Sequence, residues 1–221
     1  MSLLGFLDGS LCQTIRTTEL PRATVVAYTM ATTASLDPRA QAGSDSPRGV
    51  RAFFALSPDA EVRETLATLG RDIARRCRGR AVSPENAHLT LAFIGDVTKD
   101  ALPVLQAVGD SVPKAGFVVS FDSLGAWRAS GVAWIAPAAL PPALLTLHST
   151  LAGALAKAGF ELETRPFRPH VTLARRCLQP LPRAHCPPIL WRADKLFLVG
   201  SELRSEGPVY RNLAAWDLVM R

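Results

Sequence analysis

The tetrad His88-Leu89-Thr90-Leu91 returns 82 residues later as His170-Val171-Thr172-Leu173, and no other feature limits the fold of this chain as strongly. With four histidines and 48% hydrophobic residues, roughly 0.06 such tetrads arise by chance and a pair at about 0.002. In a strand, side chains alternate faces, so His and Thr at i and i+2 share one face and the two aliphatic residues enter the core. Each tetrad therefore asks for a half-buried strand that presents an imidazole and a hydroxyl about 6.6 Å apart.

The surrounding pattern repeats as well. Arg51 to Leu56 reads as an aromatic and aliphatic strand, and Ser57-Pro58 as the start of a helix whose apolar stripe is Val62, Leu66, Leu69 and Ile73. The strand from His88 to Ile94 is expected to stop at Gly95-Asp96, with a helix from about Asp100 to Val108 after it. Strands at Phe117 to Phe121 and Val132 to Ile135 precede a second helix, opened by Pro141-Pro142 and ended by Gly159, and then the strand His170 to Leu173. The tail offers strands at Lys195 to Gly200 and Val209 to Leu218. Strand, helix and HxTx strand thus occur twice, which predicts an α+β fold of two similar lobes of antiparallel sheet with outer helices.

Residues 1–48 lack sustained periodicity, and Asp37 to Gly49 is rich in loop formers. They read as a disordered extension ahead of one domain over residues 49–221. The four cysteines form no CxxC pair, and no secretory segment precedes them, which points to a reducing cytoplasm. Cys177, His185 and Cys186 lack the second half of a metal-ligand set, so no metal and no cofactor is expected. No apolar run is long enough to span a bilayer. A charge of +6 and a pI near 9.6 favour a polyanionic partner.

The chemistry follows from the paired motifs. Imidazole titrates near 6.5, so at cellular pH one copy can be neutral and the other protonated, an acid–base pair suited to a phosphoester. The residues alone leave open which histidine is which. His148 falls between Leu144 and Leu151 on a helix stripe and reads as packing; His185 sits in a Pro-rich loop without a role. Arg165 and Arg168 could pair with phosphate. Phe167 or Trp127 could stack a base. Phe93 reads as core, because alternation places it with Leu89 and Leu91.

The blocks Phe53-Phe54-Ala55-Leu56, Asn86 to Gly95 and Arg165 to Leu173, with Ser201, Tyr210 and Trp216 in the tail, resemble the two-histidine phosphoesterases. Within them the chain is most similar to the bacterial RNA 2′,3′-cyclic phosphodiesterases historically called 2′-5′ RNA ligases. The resemblance implies a bilobal fold with a central cleft and a monomer acting on RNA with 2′,3′-cyclic phosphate ends, such as tRNA fragments, or on cyclic nucleotides. It implies His88 as proton donor to the leaving 3′-oxygen, His170 as acceptor from water, and Thr90 and Thr172 with Arg165 on the phosphate. Two other readings share these residues: ligation, the reverse direction, and a non-catalytic RNA-binding module.

Overall fold

The computed structural model describes residues 50–204 and 207–220, so the extension expected over residues 1–48 lies outside the described residues. Along the chain come β1 (Val50–Leu56), α1 (Ala60–Cys77), β2 (Arg80–Ala81), a 3₁₀ turn (Pro84–Asn86), β3 (Leu89–Val97), a second 3₁₀ turn (Lys99–Ala101) and α2 (Leu102–Ser111). After these come β4 (Phe117–Trp127), β5 (Val132–Ala136), α3 (Pro142–Lys157), β6 (Val171–Arg175), β7 (Ala184–Ala193), β8 (Lys195–Arg204) and β9 (Gly207–Asp217).

Three local expectations change. Helix α1 begins beyond Ser57-Pro58 because Asp59 is its cap: the carboxylate accepts the Val62 N–H at 2.8 Å, an arrangement worth about 1 kcal/mol. Gly95 does not end β3. It takes φ +92° beside Ile94, which the pairing of β3 with β1 skips, so the extra residue is absorbed as a bulge and the strand runs on to Val97. The Pro-rich stretch around His185 is a strand, β7, and Pro187 and Pro188 are tolerated because β7 is the outermost strand and its register with β4 breaks there.

The order across the sheet is β7-β4-β5-β6-β3-β1-β8-β9, with β2 added beside β6. The two HxTx strands are central neighbours, and the order is matched about them: β6 with β3, β5 with β1, β4 with β8, β7 with β9. Where the halves meet, the ladder contains one pair, Leu89 opposite Val171. Both are fully buried, as are nearly all of Leu91 and Leu173.

Helices cover one face of this sheet, and two of them exchange sides while α2 packs on β8 and β9. Helix α1, which leads from β1 toward β3, packs chiefly on β6 and β2, while α3, which leads from β5 to β6, packs on β3. The main core is therefore continuous across the seam, joining Phe54 and Leu56 of β1 to Leu173 and Trp191 in the other half. On the opposite face lies a smaller apolar cluster of Phe53, Ala55 and Val199, flanked by Phe197 and Tyr210.

Candidate active site

The seam fixes the site by register. With Leu89 opposite Val171 in antiparallel strands, His88 falls across from Thr172 and Thr90 across from His170. Because the paired residues hold the same place in each tetrad, an approximate two-fold axis through this pair exchanges the two motifs. All four polar residues stay partly exposed while their aliphatic neighbours are buried. The face opposite the helices thus gathers two imidazoles and two hydroxyls.

Each imidazole is held the same way. His88 Nδ1 lies 2.7 Å from the Asn86 carbonyl, and His170 Nδ1 lies 2.7 Å from the Arg168 carbonyl. A carbonyl can only accept, so each Nδ1 carries a hydrogen and each Nε2 is left to give or take a proton. Asn86 closes the 3₁₀ turn before β3, and Arg168 belongs to the Pro-braced segment before β6.

Aromatic rings fix the remaining freedom. His88 lies 5.1 Å from Phe53 and 5.2 Å, edge-on, from Tyr210; His170 meets Trp127 edge-on at 4.5 Å. Burial pushes both histidines below the ordinary 6.5, opposed by the carbonyl bonds and reinforced by the positive charge of Arg175, and His170 further lowers His88. Burial raises the Tyr210 hydroxyl, against the charges of Arg175 and Arg51. Arg175 is thus electrically in the site, although sequence reasoning passed over it.

The reason is a pair of matching bulges. Along β3 the partners of Ala55 and Phe54 are Thr90 and Ala92, and along β6 the partners of Trp134 and Ala133 are Thr172 and Ala174. Leu91 and Leu173, the last residues of the two tetrads, are both skipped. A bulge of one residue reverses the alternation that follows, and so Phe93 and Arg175, each five places after its histidine, are carried to the outer face. Phe93 is accordingly not core: it is 40% exposed, with the Arg51 guanidinium 5.0 Å from its ring centroid. Strict alternation could not find either residue; their equal distance from the histidines was the available signal.

Other expected residues separate. Trp127 stands beside His170. Phe167 is partly buried, with its ring flat on His148 at 3.8 Å, so that face is not open to a base. Arg165 is exposed and ion-paired with Glu163, and Arg168 is exposed and contributes its backbone carbonyl. Ser201 and Tyr210 pair across the β8–β9 hairpin, and Trp216 donates to Asp110 of α2 at 2.6 Å. Among the described residues, no helix is long and apolar enough to cross a membrane.

Comparison with known proteins bears on this geometry. The chain is 33% identical over 183 residues to the RNA 2′,3′-cyclic phosphodiesterase of Thermus thermophilus, covering 76% of this chain and 90% of that one. It is 34% identical over 125 residues to that of Escherichia coli, covering 57% and 71%. Among solved structures, E. coli LigT in its apo form matches with a TM-score of 0.69 at 29% identity, covering 77% of this chain and 98% of that one, and LigT complexed with 3′-AMP matches equally well. The family described as "LigT like Phosphoesterase" matches residues 56–134 and again 135–210, one match for each HxTx motif, and the chain belongs to that family of phosphoesterases.

Proposed function

We propose that this protein hydrolyses 2′,3′-cyclic phosphates at RNA ends, and on small cyclic nucleotides, without a metal. The observation that carries the reading is the register at the seam, which relates two His/Thr pairs by a two-fold axis. In-line displacement needs a base on one side of the phosphorus and an acid on the other, and two imidazoles exchanged by a two-fold axis are disposed in that way.

His170 Nε2 takes a proton from water as the water oxygen attacks phosphorus. The bond from phosphorus to O3′ breaks, and His88 Nε2–H gives its proton to that oxygen, leaving a 2′-phosphate and a 3′-hydroxyl. The assignment of acid to His88 and base to His170 comes from the family resemblance. Burial and Arg175 favour two neutral imidazoles in the free protein; a bound phosphate anion restores a proton to one of them. Thr90, Thr172 and Arg175 stabilise charge on the non-bridging oxygens. The relatives' shared name, RNA 2′,3′-cyclic phosphodiesterase, supports the same substrate. Ligation to a 5′-hydroxyl uses these groups in reverse, and water at bulk concentration favours hydrolysis.

The test is turnover of a 2′,3′-cyclic mononucleotide in excess chelator, with the product identified by phosphorus NMR. A 2′-phosphate is expected. Loss of turnover in chelator overturns the metal-free route, and no turnover with RNA binding retained makes the protein a binding module.

A further inference from the structure

His148 occupies the α3 stripe with Leu144 and Leu151, both fully buried, where spacing assigns it to packing. Its ring does two further things. Nδ1–H donates to the Leu91 carbonyl across 3.0 Å, and its face lies 7° from parallel to the Phe167 ring, with centroids 3.8 Å apart. Leu91 is the bulged residue directly after Thr90. Phe167 directly precedes Arg168, whose carbonyl accepts the Nδ1–H of His170 at 2.7 Å. One imidazole therefore touches the backbone after the threonine of the first motif and the segment before the histidine of the second.

The two halves show why a side chain is needed there. A bulge takes a carbonyl out of the ladder, and a buried carbonyl left unpaired destabilises the fold. In the second half the backbone solves this, because the Leu173 carbonyl accepts the Val82 N–H at 2.9 Å. Helix α1 comes so near that a Cβ on Gly70 would lie 3.1 Å from the same oxygen. In the first half α3 answers the Leu91 carbonyl with His148. A carbonyl alone could be met by any donor; stacking on the segment that orients His170 could not.

We infer that His148 is a positioning residue that ties the two HxTx motifs to one helix, fixing Thr90 through the Leu91 peptide and His170 through Phe167. The inference rests on the reading of those motifs as a catalytic pair. Two substitutions separate the contacts. His148→Asn keeps an N–H near the Nδ1 position and loses the stack, whereas His148→Phe keeps the stack and loses the donor.

Each is expected to lower kcat roughly tenfold to a hundredfold, the scale of small misplacements of reacting groups. KM should stay within about twofold, since ground-state binding is untouched, and both variants should remain folded at the assay temperature, with His148→Phe the less stable because it leaves the Leu91 carbonyl unpaired. Without substrate, the imidazole ¹⁵N resonances of His170 should move in His148→Asn and stay in place in His148→Phe. Adding Phe167→Leu to His148→Asn should cause no further loss, because the stack is already gone. An unchanged kcat in both single variants, or a loss that only follows unfolding, overturns the inference. If the parent does not turn over the cyclic mononucleotide, the proposed function fails, and the resonances still decide: His170 signals unmoved in His148→Asn overturn the positioning role.

Discussion

The two histidines are distinguished from ordinary strand residues by having one nitrogen committed and one free. Because each Nδ1–H is held by a carbonyl, His88→Ala and His170→Ala should each cost at least about a hundredfold in turnover, the lower end of general acid–base contributions. Thr90→Val and Thr172→Val should each cost roughly tenfold to a thousandfold with the fold intact; unchanged kinetics in both would place the hydroxyls away from the phosphate. The direction of the pKa shifts makes a separate claim. Burial, with Arg175, lowers both imidazoles in the folded state below 6.5. Between the folded and unfolded values the unfolded chain binds more protons, so this contribution to stability is complete above about pH 6.5 and falls as the pH drops through that window. Urea unfolding between about pH 5 and 7 should show the slope, and replacing both histidines by Gln should flatten it. Arg175→Gln removes a positive charge and should raise both pKa values, read directly by NMR titration; values that stay or fall would remove Arg175 from the site.

At the level of elements, the two HxTx strands work because each is irregular at the same place. Bulges at Leu91 and Leu173 turn a two-residue motif into a three-residue one, adding Phe93 on one side and Arg175 on the other. The neighbouring strands are shaped to the same face. Trp134 can lie against β4 because Gly125 opposes it in the register, and a Cβ there would come 2.4 Å from the indole ring. Gly125→Ala should therefore displace Trp134, and with it Trp127, whose ring centroid is 5.7 Å away and which abuts His170. Destabilisation of about 1–3 kcal/mol is expected, the usual scale of overpacking, together with slower turnover. A fully stable variant would mean that Trp134 has room to move.

For the whole molecule, the exchange of α1 and α3 between halves has a thermodynamic consequence. Each of these two helices packs on the half it does not connect, and the core runs unbroken across the seam, so the halves should unfold together. Trp191 and Trp134 in one half and Trp216 in the other allow fluorescence to be compared with far-ultraviolet circular dichroism in urea; two separated transitions would contradict a shared core. A chain beginning near Arg48 should keep its fold and turnover, and failure to fold would move the domain boundary toward the N-terminus. Sequence alone determined the two strands that His88 and His170 lead into, each beginning one residue after its histidine, the sharing of a face by His and Thr, the repetition of strand, helix and strand, and the capacity for acid–base chemistry. Those follow from period-two alternation and from imidazole itself, which are local properties. It could not place Phe93 or Arg175, because a bulge is invisible to alternation until a partner strand supplies the register. Nor could it see that Pro187 and Pro188 belong to an outer strand, that α1 serves the opposite half, or that His148 faces a carbonyl and a ring rather than aliphatic neighbours. Each of these depends on which segments, distant in the chain, lie side by side, and the tertiary structure decided it by bringing Leu89 against Val171 and closing one core around that seam.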